Sequence, residues 1–216
     1  MRKNGEGKLV DEKGLTEEEF LSRYQPGDYE RPSVTVDMLI FAVDKSGENR
    51  KLLLIKRKNH PYLGCWALPG GFVEMKESLK EAAARELEEE TGVKGVRMEQ
   101  IYTFGEVERD PRTRIISVAY MAVVEEGELS VQAGDDAAEA VWFRVRKENG
   151  ENGECIFLES AQAGAYFAYA VEKEAQAGGE RLCRPMFDVK EERGLAFDHI
   201  EAVRMGLERL QQFLPA

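Results

Sequence analysis

Three glutamates fall close together on one helical segment, Ser78–Thr91. Set Leu79 at zero on a wheel of about 100° per residue: Ala83 then lies at about 40°, Leu87 at about 80° and Ala82 at about −60°. That apolar arc is the inward face. Glu86 at about −20°, Glu90 at about 20° and Glu89 at about −80° lie on or beside it. Lys80, Glu81, Ala84, Glu88 and Thr91 make the outward face. Like charges gathered in a partly dry place repel one another and lose hydration. Two arrangements meet that difficulty. The last turn can run past the core and leave the glutamates in water, as most charge runs do. Alternatively, divalent cations neutralise the cluster: carboxylate oxygens are hard ligands, and Mg²⁺ takes them while keeping waters and binding substrate phosphates. Arg85 pairs at i,i+4 with both Glu81 and Glu89 and can orient a carboxylate.

The flanking sequence supplies elements to position this helix. Val34–Val43 is rich in β-branched and aromatic residues and reads as a strand, as does Lys51–Lys58. Between strand and helix, Asn59–Gly71 is a loop with two prolines and several glycines. Helical periodicity runs over Met75–Thr91 and stops at Gly92, a residue suited to the left-handed position after a helix. Val96–Glu108 and Ile115–Glu126 read as strands around the charged turn Arg109-Asp110-Pro111-Arg112, and Ala140–Val145 as a short strand. Asn149–Glu154 reads as a polar linker. Tyr166–Val171 suits helix or strand, and Gly178-Gly179 after it favours a hairpin. Asp198–Phe213 is a helix with Asp198 and Glu201 as its capping pair and Ile200, Val203, Leu207, Leu210 and Leu214 as its apolar stripe. Gly206 inside it costs about 1 kcal/mol relative to Ala. Residues 1–30 are a polar extension holding a short helix at Thr16–Tyr24, where Thr16 and Glu19 fit a capping box.

From Gly71 to Val93 the chain reads glycine, five residues, Glu77, seven residues, then Arg85-Glu86-Leu87-Glu88-Glu89-Glu90-Thr91-Gly92-Val93. This resembles the Nudix box, GX5EX7REUXEEXGU with U aliphatic, at all nine specified positions across 23 residues. The flank Trp66-Ala67-Leu68-Pro69-Gly70-Gly71-Phe72 resembles the family too. The resemblance covers residues 31–145 and the last helix, so the Nudix domain is expected over 31–216, with 148–194 an insertion before the C-terminal helix that reads as a β-hairpin. The resemblance implies an α/β fold: an α/β/α sandwich around a mixed sheet. It also implies divalent-metal-dependent hydrolysis of a pyrophosphate bond in a nucleoside diphosphate linked to another group. Carried over, Glu86, Glu89 and Glu90 hold Mg²⁺ or Mn²⁺, the Gly70 carbonyl adds a ligand, and Glu77 and Arg85 support the cluster. Within the box Glu89 or Glu86 is the candidate base. Asp135, Asp136 and Glu139 stand in the later loop from which some family members draw it.

Substrate contacts are expected from basic residues near the box. Lys56-Arg57-Lys58 ends a strand, with Arg57 the candidate for phosphate, and Arg109, Arg112 and Arg114 cluster in one turn. For each, an ordinary surface charge is the competing reading. His60 and His199 read as structural or hydrogen-bonding residues, and Tyr166, Phe167 and Tyr169 as core or dimer packing. Asp37 shares a strand face with Leu39 and Phe41, either as a buried, hydrogen-bonded acid or as one near a ligand cavity.

Composition narrows the class. With 30 basic and 41 acidic residues in 216, the net charge is −11, which argues against a generic nucleic-acid binder. No apolar run approaches the length of a membrane span, and the N-terminus lacks a signal-peptide pattern. Cys65, Cys155 and Cys183 are odd in number and lack CxxC spacing, which suits a reducing cytoplasm. Arg31-Pro32-Ser33-Val34-Thr35-Val36-Asp37, Arg109-Asp110-Pro111-Arg112 and Leu195-Ala196-Phe197-Asp198-His199 resemble one branch of the family. That branch holds ADP-ribose pyrophosphatase-like enzymes and the sensor domains of nicotinamide-metabolism repressors. Repressors of this kind carry a winged helix after the last Nudix helix, for which Phe213–Ala216 leaves no room. The resemblance therefore implies an ADP-ribose or nucleotide-sugar pyrophosphatase, with homodimerisation common in the family. The alternatives are a house-cleaning nucleoside triphosphate pyrophosphatase and a non-catalytic nucleotide-sugar sensor.

Overall fold

A computed structural model of the protein describes residues 2–28, 30–133, 137–150, 153–173, 181–186 and 194–212. The chain forms two compact units, Met1–Arg31 and Pro32–Ala216. In the first, β1 (Arg2–Lys3) pairs with β2 (Leu9–Val10), followed by α1 (Glu17–Arg23). The Thr16 hydroxyl accepts from the Glu19 N–H and the Glu19 carboxylate from the Thr16 N–H, so both halves of the capping box are made.

The second unit is a mixed sheet between two helices. Its strands are β3 (Ser33–Val43), β4 (Arg50–Arg57), β5 (Trp66–Ala67), β6 (Gly70–Phe72), β7 (Glu99–Phe104), β8 (Ile115–Glu125), β9 (Ala137–Gly150), β10 (Gly153–Ser160), β11 (Ala165–Lys173) and β12 (Arg181–Pro185). The main order is β12-β11-β10-β9-β4-β3-β8-β7, with β5 on β4 and β6 on β3. β3 and β8 run parallel; the other pairs are antiparallel. The helices are α2 (Leu79–Thr91) and α3 (His199–Leu210).

β3 is apolar on both faces because both are covered. Val36, Met38 and Ile40 point toward Ala82, Ala83 and Leu87 of α2. Leu39, Phe41 and Val43 point the other way, toward Ile200, Val203, Leu207 and Leu210 of α3. Leu214 of the expected stripe lies outside the described residues. Among the described residues no helix is long and apolar enough to cross a membrane.

Several expectations need correction. The polar stretch 149–154 is not a linker: Gly150 pairs with Gly153, so β9 and β10 form a hairpin that carries the sheet outward. The short strand expected at 140–145 is the middle of the 14-residue β9. Tyr166–Val171 is strand, and β11 pairs with β12 as a second hairpin, whose tip with Gly178-Gly179 lies outside the described residues. Alternation and aromatic content mark such strands, but their partner is set by sheet contacts that no local pattern records.

Gly206 has a packing reason. A Cβ there would fall 2.7 Å from Leu39 Cδ2 and 3.0 Å from Phe41 Cε2. Gly206→Ala is therefore expected to destabilise the protein by about 1–3 kcal/mol, although Ala favours helix by about 1 kcal/mol. A denaturant midpoint that rises in the variant would contradict this close approach.

Candidate active site

β6 lays two glycines beside β3, with Asp37 opposite Gly70 and Val36 opposite Gly71. Backbone closes the first position to a side chain, and at the second a side chain would have to displace the Glu86 carboxylate. A Cβ on Gly70 would lie 2.2 Å from the Val36 carbonyl oxygen, and one on Gly71 would lie 2.3 Å from Glu86 Oε1. The absent side chain at Gly71 is the space into which the Glu86 carboxylate fits.

α2 starts on a capping box, Ser78 with Glu81, and ends on Gly92 at φ 71°. This placement separates the three glutamates. Glu90 is buried, with 7% of its surface exposed, and accepts a 2.7 Å hydrogen bond from the Gly70 N–H. The Glu86 side chain is mostly covered, whereas the Glu89 side chain is 57% exposed. Burial pushes the Glu90 carboxyl up to about 8, with the nearby Glu86 and Asp37 charges adding to the rise. Burial also raises Glu86.

Arg85 holds the cluster together. Its Nε and Nη2 donate to the two Glu77 oxygens at 3.0 and 2.7 Å, and its Nη1 donates to Glu86 and Glu89 at 2.9 and 3.0 Å. These bonds hold Glu77 down at about 2. The pairing expected between Arg85 and Glu81 is not made: Glu81 accepts from the Ser78 N–H in the capping box instead. Thr91, expected outward, is fully buried, its hydroxyl donating to the Leu87 carbonyl at 2.5 Å.

A cavity of about 360 Å³ opens over this acidic wall, and besides Arg85 three further arginines line it with Glu86 and Glu90. Arg57 comes from the end of β4; its guanidinium lies 5.0 Å from the Phe197 ring centre. Burial lowers its pKa. Arg112 is fixed by Asp110 through hydrogen bonds of 3.0 and 2.7 Å and lies 5.1 and 5.7 Å from the Phe72 and Phe197 rings. Arg109 is the most buried of the three. Its Nε and Nη2 donate to Asp198 at 2.8 and 2.6 Å, and Asp37 lies 3.9 Å away.

Thus Arg57, Arg109, Arg112, Gly70, Arg85, Glu86 and Glu90 meet at one cavity. Glu77 and Glu89 join through Arg85. Arg114 does not line it; it donates to the Glu106 carbonyl. Glu139 is also away from the lining and pairs with Lys56 at 2.8 Å. Asp135 and Asp136 lie outside the described residues. Asp198 makes no side-chain cap on α3, because its carboxylate is taken by Arg109. Phe72, Phe197, Asp110 and His199 also line the cavity. Phe197 has φ 53°, a left-handed conformation rare for a bulky residue, and no local pattern announces it.

Could this wall hold a divalent ion? Among the described residues no three acidic, histidine or cysteine side chains already converge as a ligating group. Arg85 stands between Glu86 and Glu89. The donor set nevertheless suits a hard cation: two carboxylates raised by burial beside an exposed third, with a glycine carbonyl strand alongside.

Residues 32–154 match the family model for the NUDIX domain, more than half of the chain. The chain belongs to the NUDIX family. Among its relatives is a protein of Methanocaldococcus jannaschii named ADP-ribose pyrophosphatase, 45% identical over 115 residues, which are 53% of this chain and 63% of the relative. A MutT/nudix family protein from Enterococcus faecalis superposes with TM-score 0.72 at 33% identity, over 92% of this chain and 70% of that one. The NUDIX domain of Shewanella oneidensis NrtR, crystallised with ADP ribose, superposes with TM-score 0.62 at 28% identity, over 91% and 99%. Together these establish the NUDIX fold. The matches span between 44% and 63% of the length of the first curated relatives.

Proposed function

We propose that this NUDIX protein hydrolyses the pyrophosphate bond of ADP-ribose or a related nucleoside diphosphate sugar, using Mg²⁺ or Mn²⁺. The observation that carries the proposal is the gathering of buried carboxylates and of Arg57, Arg109 and Arg112 in the lining of one cavity. A pyrophosphate diester needs both: cations to anchor its oxygens and a metal seat at the phosphorus to be attacked. Likeness to a protein named ADP-ribose pyrophosphatase and to a NUDIX domain crystallised with ADP ribose supports the sugar nucleotide.

Glu86, Glu89, Glu90 and the Gly70 carbonyl are the groups that would hold the metal. When bound, it supplies charge neutralisation and a more acidic water. The protein's own residues do the rest. Arg57, Arg109 and Arg112 bind phosphate oxygens, and their salt bridges and ring contacts hold them ready before substrate arrives. Phe197 lies against Arg57 and, with Phe72, against Arg112, and thins the water around both. Arg85, itself clamped by Glu77, aims Glu86 and Glu89. Water's oxygen bonds to one phosphorus as the bridging P–O bond breaks. The bridging oxygen leaves on the other phosphate, and the water proton passes to Glu86 or Glu89. The products are AMP and ribose 5-phosphate.

A substrate panel read by mass spectrometry tests this. With Mg²⁺ or Mn²⁺, ADP-ribose is expected to give AMP and ribose 5-phosphate with higher kcat/KM than any modified deoxynucleoside triphosphate. Preference for a triphosphate assigns the house-cleaning activity instead. Likeness to the NUDIX domain of NrtR crystallised with ADP ribose, over 99% of that chain, favours one further reading, a sensor that binds without turnover. Calorimetric binding of ADP-ribose with no product over hours would establish it, and would turn attention to residues 148–194 as the partner surface.

A further inference from the structure

We propose that His199 is a positioning residue of this site: its Nδ1 fixes the Leu68 peptide, and through it the Gly70 carbonyl and Glu90. The inference rests on the reading above that Gly70 and Glu90 hold the metal.

Leu68 and Pro69 fall in the gap between β5 and β6, where no ladder serves them. The Pro69 carbonyl accepts from the Met38 N–H at 2.8 Å, and Pro69 has no N–H to give. The Leu68 N–H is a buried donor with no strand partner. His199, 131 residues later, takes it at 2.9 Å through Nδ1. An imidazole nitrogen that accepts carries no proton, so in neutral His199 the proton is on Nε2. Nε2 faces Asp37 Oδ1 at 3.5 Å. The other oxygen of Asp37 accepts from the Ser117 hydroxyl. Burial lowers the His199 pKa, which keeps the ring neutral and Nδ1 free to accept.

The ring is itself held. Leu195 bridges to Trp66, the Ala196 N–H donates to the Trp66 carbonyl at 2.7 Å, and the Trp66 N–H donates to the Gly194 carbonyl at 3.2 Å. The segment entering α3 is thus stapled to β5 just before Leu68. Two residues beyond Leu68, the Gly70 N–H meets Glu90. The neighbouring Asp198 clamps Arg109. One dipeptide at the start of α3 therefore serves both groups of lining residues: His199 the strand beside the carboxylates, Asp198 one of the arginines.

Three variants separate positioning from mere filling. In H199N the amide oxygen can replace Nδ1 as acceptor; in H199Q the amide reaches the Nε2 end instead; H199A keeps neither. Two readouts need no turnover: hydrogen exchange at the Leu68 amide, and Mn²⁺ affinity by electron paramagnetic resonance. H199Q and H199A are expected to lose Leu68 protection and to weaken Mn²⁺ binding by about 10–100-fold, the scale of lost support behind a ligand. H199N is expected to stay within about threefold of wild type in both, that margin being small against the same 10–100-fold scale. Equal loss of stability in all three variants with unchanged Mn²⁺ affinity would make His199 a core filler and overturn the inference. If a variant fails to fold, the wild-type ring decides: ¹⁵N shifts reporting a protonated Nδ1 also overturn it. Wild-type protein that neither binds Mn²⁺ nor turns over ADP-ribose would sink the proposed function itself. Active wild type with unaltered H199Q would sink only this inference.

Discussion

Glu90→Gln is expected to lower kcat on ADP-ribose by at least about 10²-fold, the scale on which one preorganised charged group acts at a reacting centre. The same change is expected to stabilise the metal-free protein at pH 8. Glu90 is buried and its carboxyl is pushed up to about 8, whereas in the unfolded chain it titrates near 4.5. Between those values the folded state holds a proton that the unfolded state has lost. Stability of the metal-free protein therefore falls as pH rises from about 4.5 to about 8, in the direction linkage requires when the native state binds more protons. An amide does not titrate, and its oxygen can still accept from the Gly70 N–H. The variant should match wild type near pH 5 and exceed it at pH 8. Divalent metal should reverse the order at pH 8, because it stabilises the protein able to bind it. Thermal scans at the two pH values, with and without Mg²⁺, check both signs. A Glu90→Gln protein less stable than wild type at pH 8 without metal would show that Glu90 holds the fold rather than a ligand.

How the glutamates divide was only half legible in the sequence. The helical wheel put Glu86 and Glu90 inward, and they are the two that burial raises. The i,i+4 spacing predicted the Arg85–Glu89 pair, which forms, but the wheel could not show that Glu89 stays largely in water, nor that Thr91 turns inward to bond the Leu87 carbonyl. Spacing predicted Arg57, Arg109 and Arg112 near the box because all three end or join strands leading to it. It also suggested Arg114, whose guanidinium turns to a backbone carbonyl instead. The larger omissions share one cause. Asp198 stands where a helix cap should, and Asp198 and Glu201 have the spacing of one. Its true partner, Arg109, is 89 residues away. Asp37, Ser117 and His199 meet across β3, β8 and α3, and no window along the chain contains them together. Local propensity reveals elements; a pairing created by the packing of distant elements leaves no local trace. The insertion shows the same limit from the other side, since its strands were partly visible while their place at the sheet edge was not.

Arg109→Ala is expected to produce the largest loss of stability of any single change at this site. The Arg109 side chain is 4% exposed and compensates two carboxylates, Asp198 through two hydrogen bonds and Asp37 at 3.9 Å. Its pKa is raised although burial opposes charge, because the bonds to Asp198 and the nearby Asp37 outweigh the lost hydration. Removing the arginine leaves both largely covered carboxylates without the cation they share. Breaking a buried pair by deleting one partner costs about 3–5 kcal/mol. For a domain of this size that lowers Tm on the order of 10 °C. The double variant Arg109→Ala with Asp198→Ala should recover part of the loss, since it removes one stranded charge along with its partner. Arg109→Lys should recover less than its charge suggests, because an ammonium cannot match the two-pronged contact with Asp198. Measured without metal or substrate, these shifts report the fold alone, apart from any role of Arg109 in holding phosphate. A single variant whose Tm moves by less than about 3 °C would mean that water already reaches the pair, since exposed ion pairs contribute about 0–1 kcal/mol. The arginine cluster would then be a solvated surface, unable to preorganise an anion site.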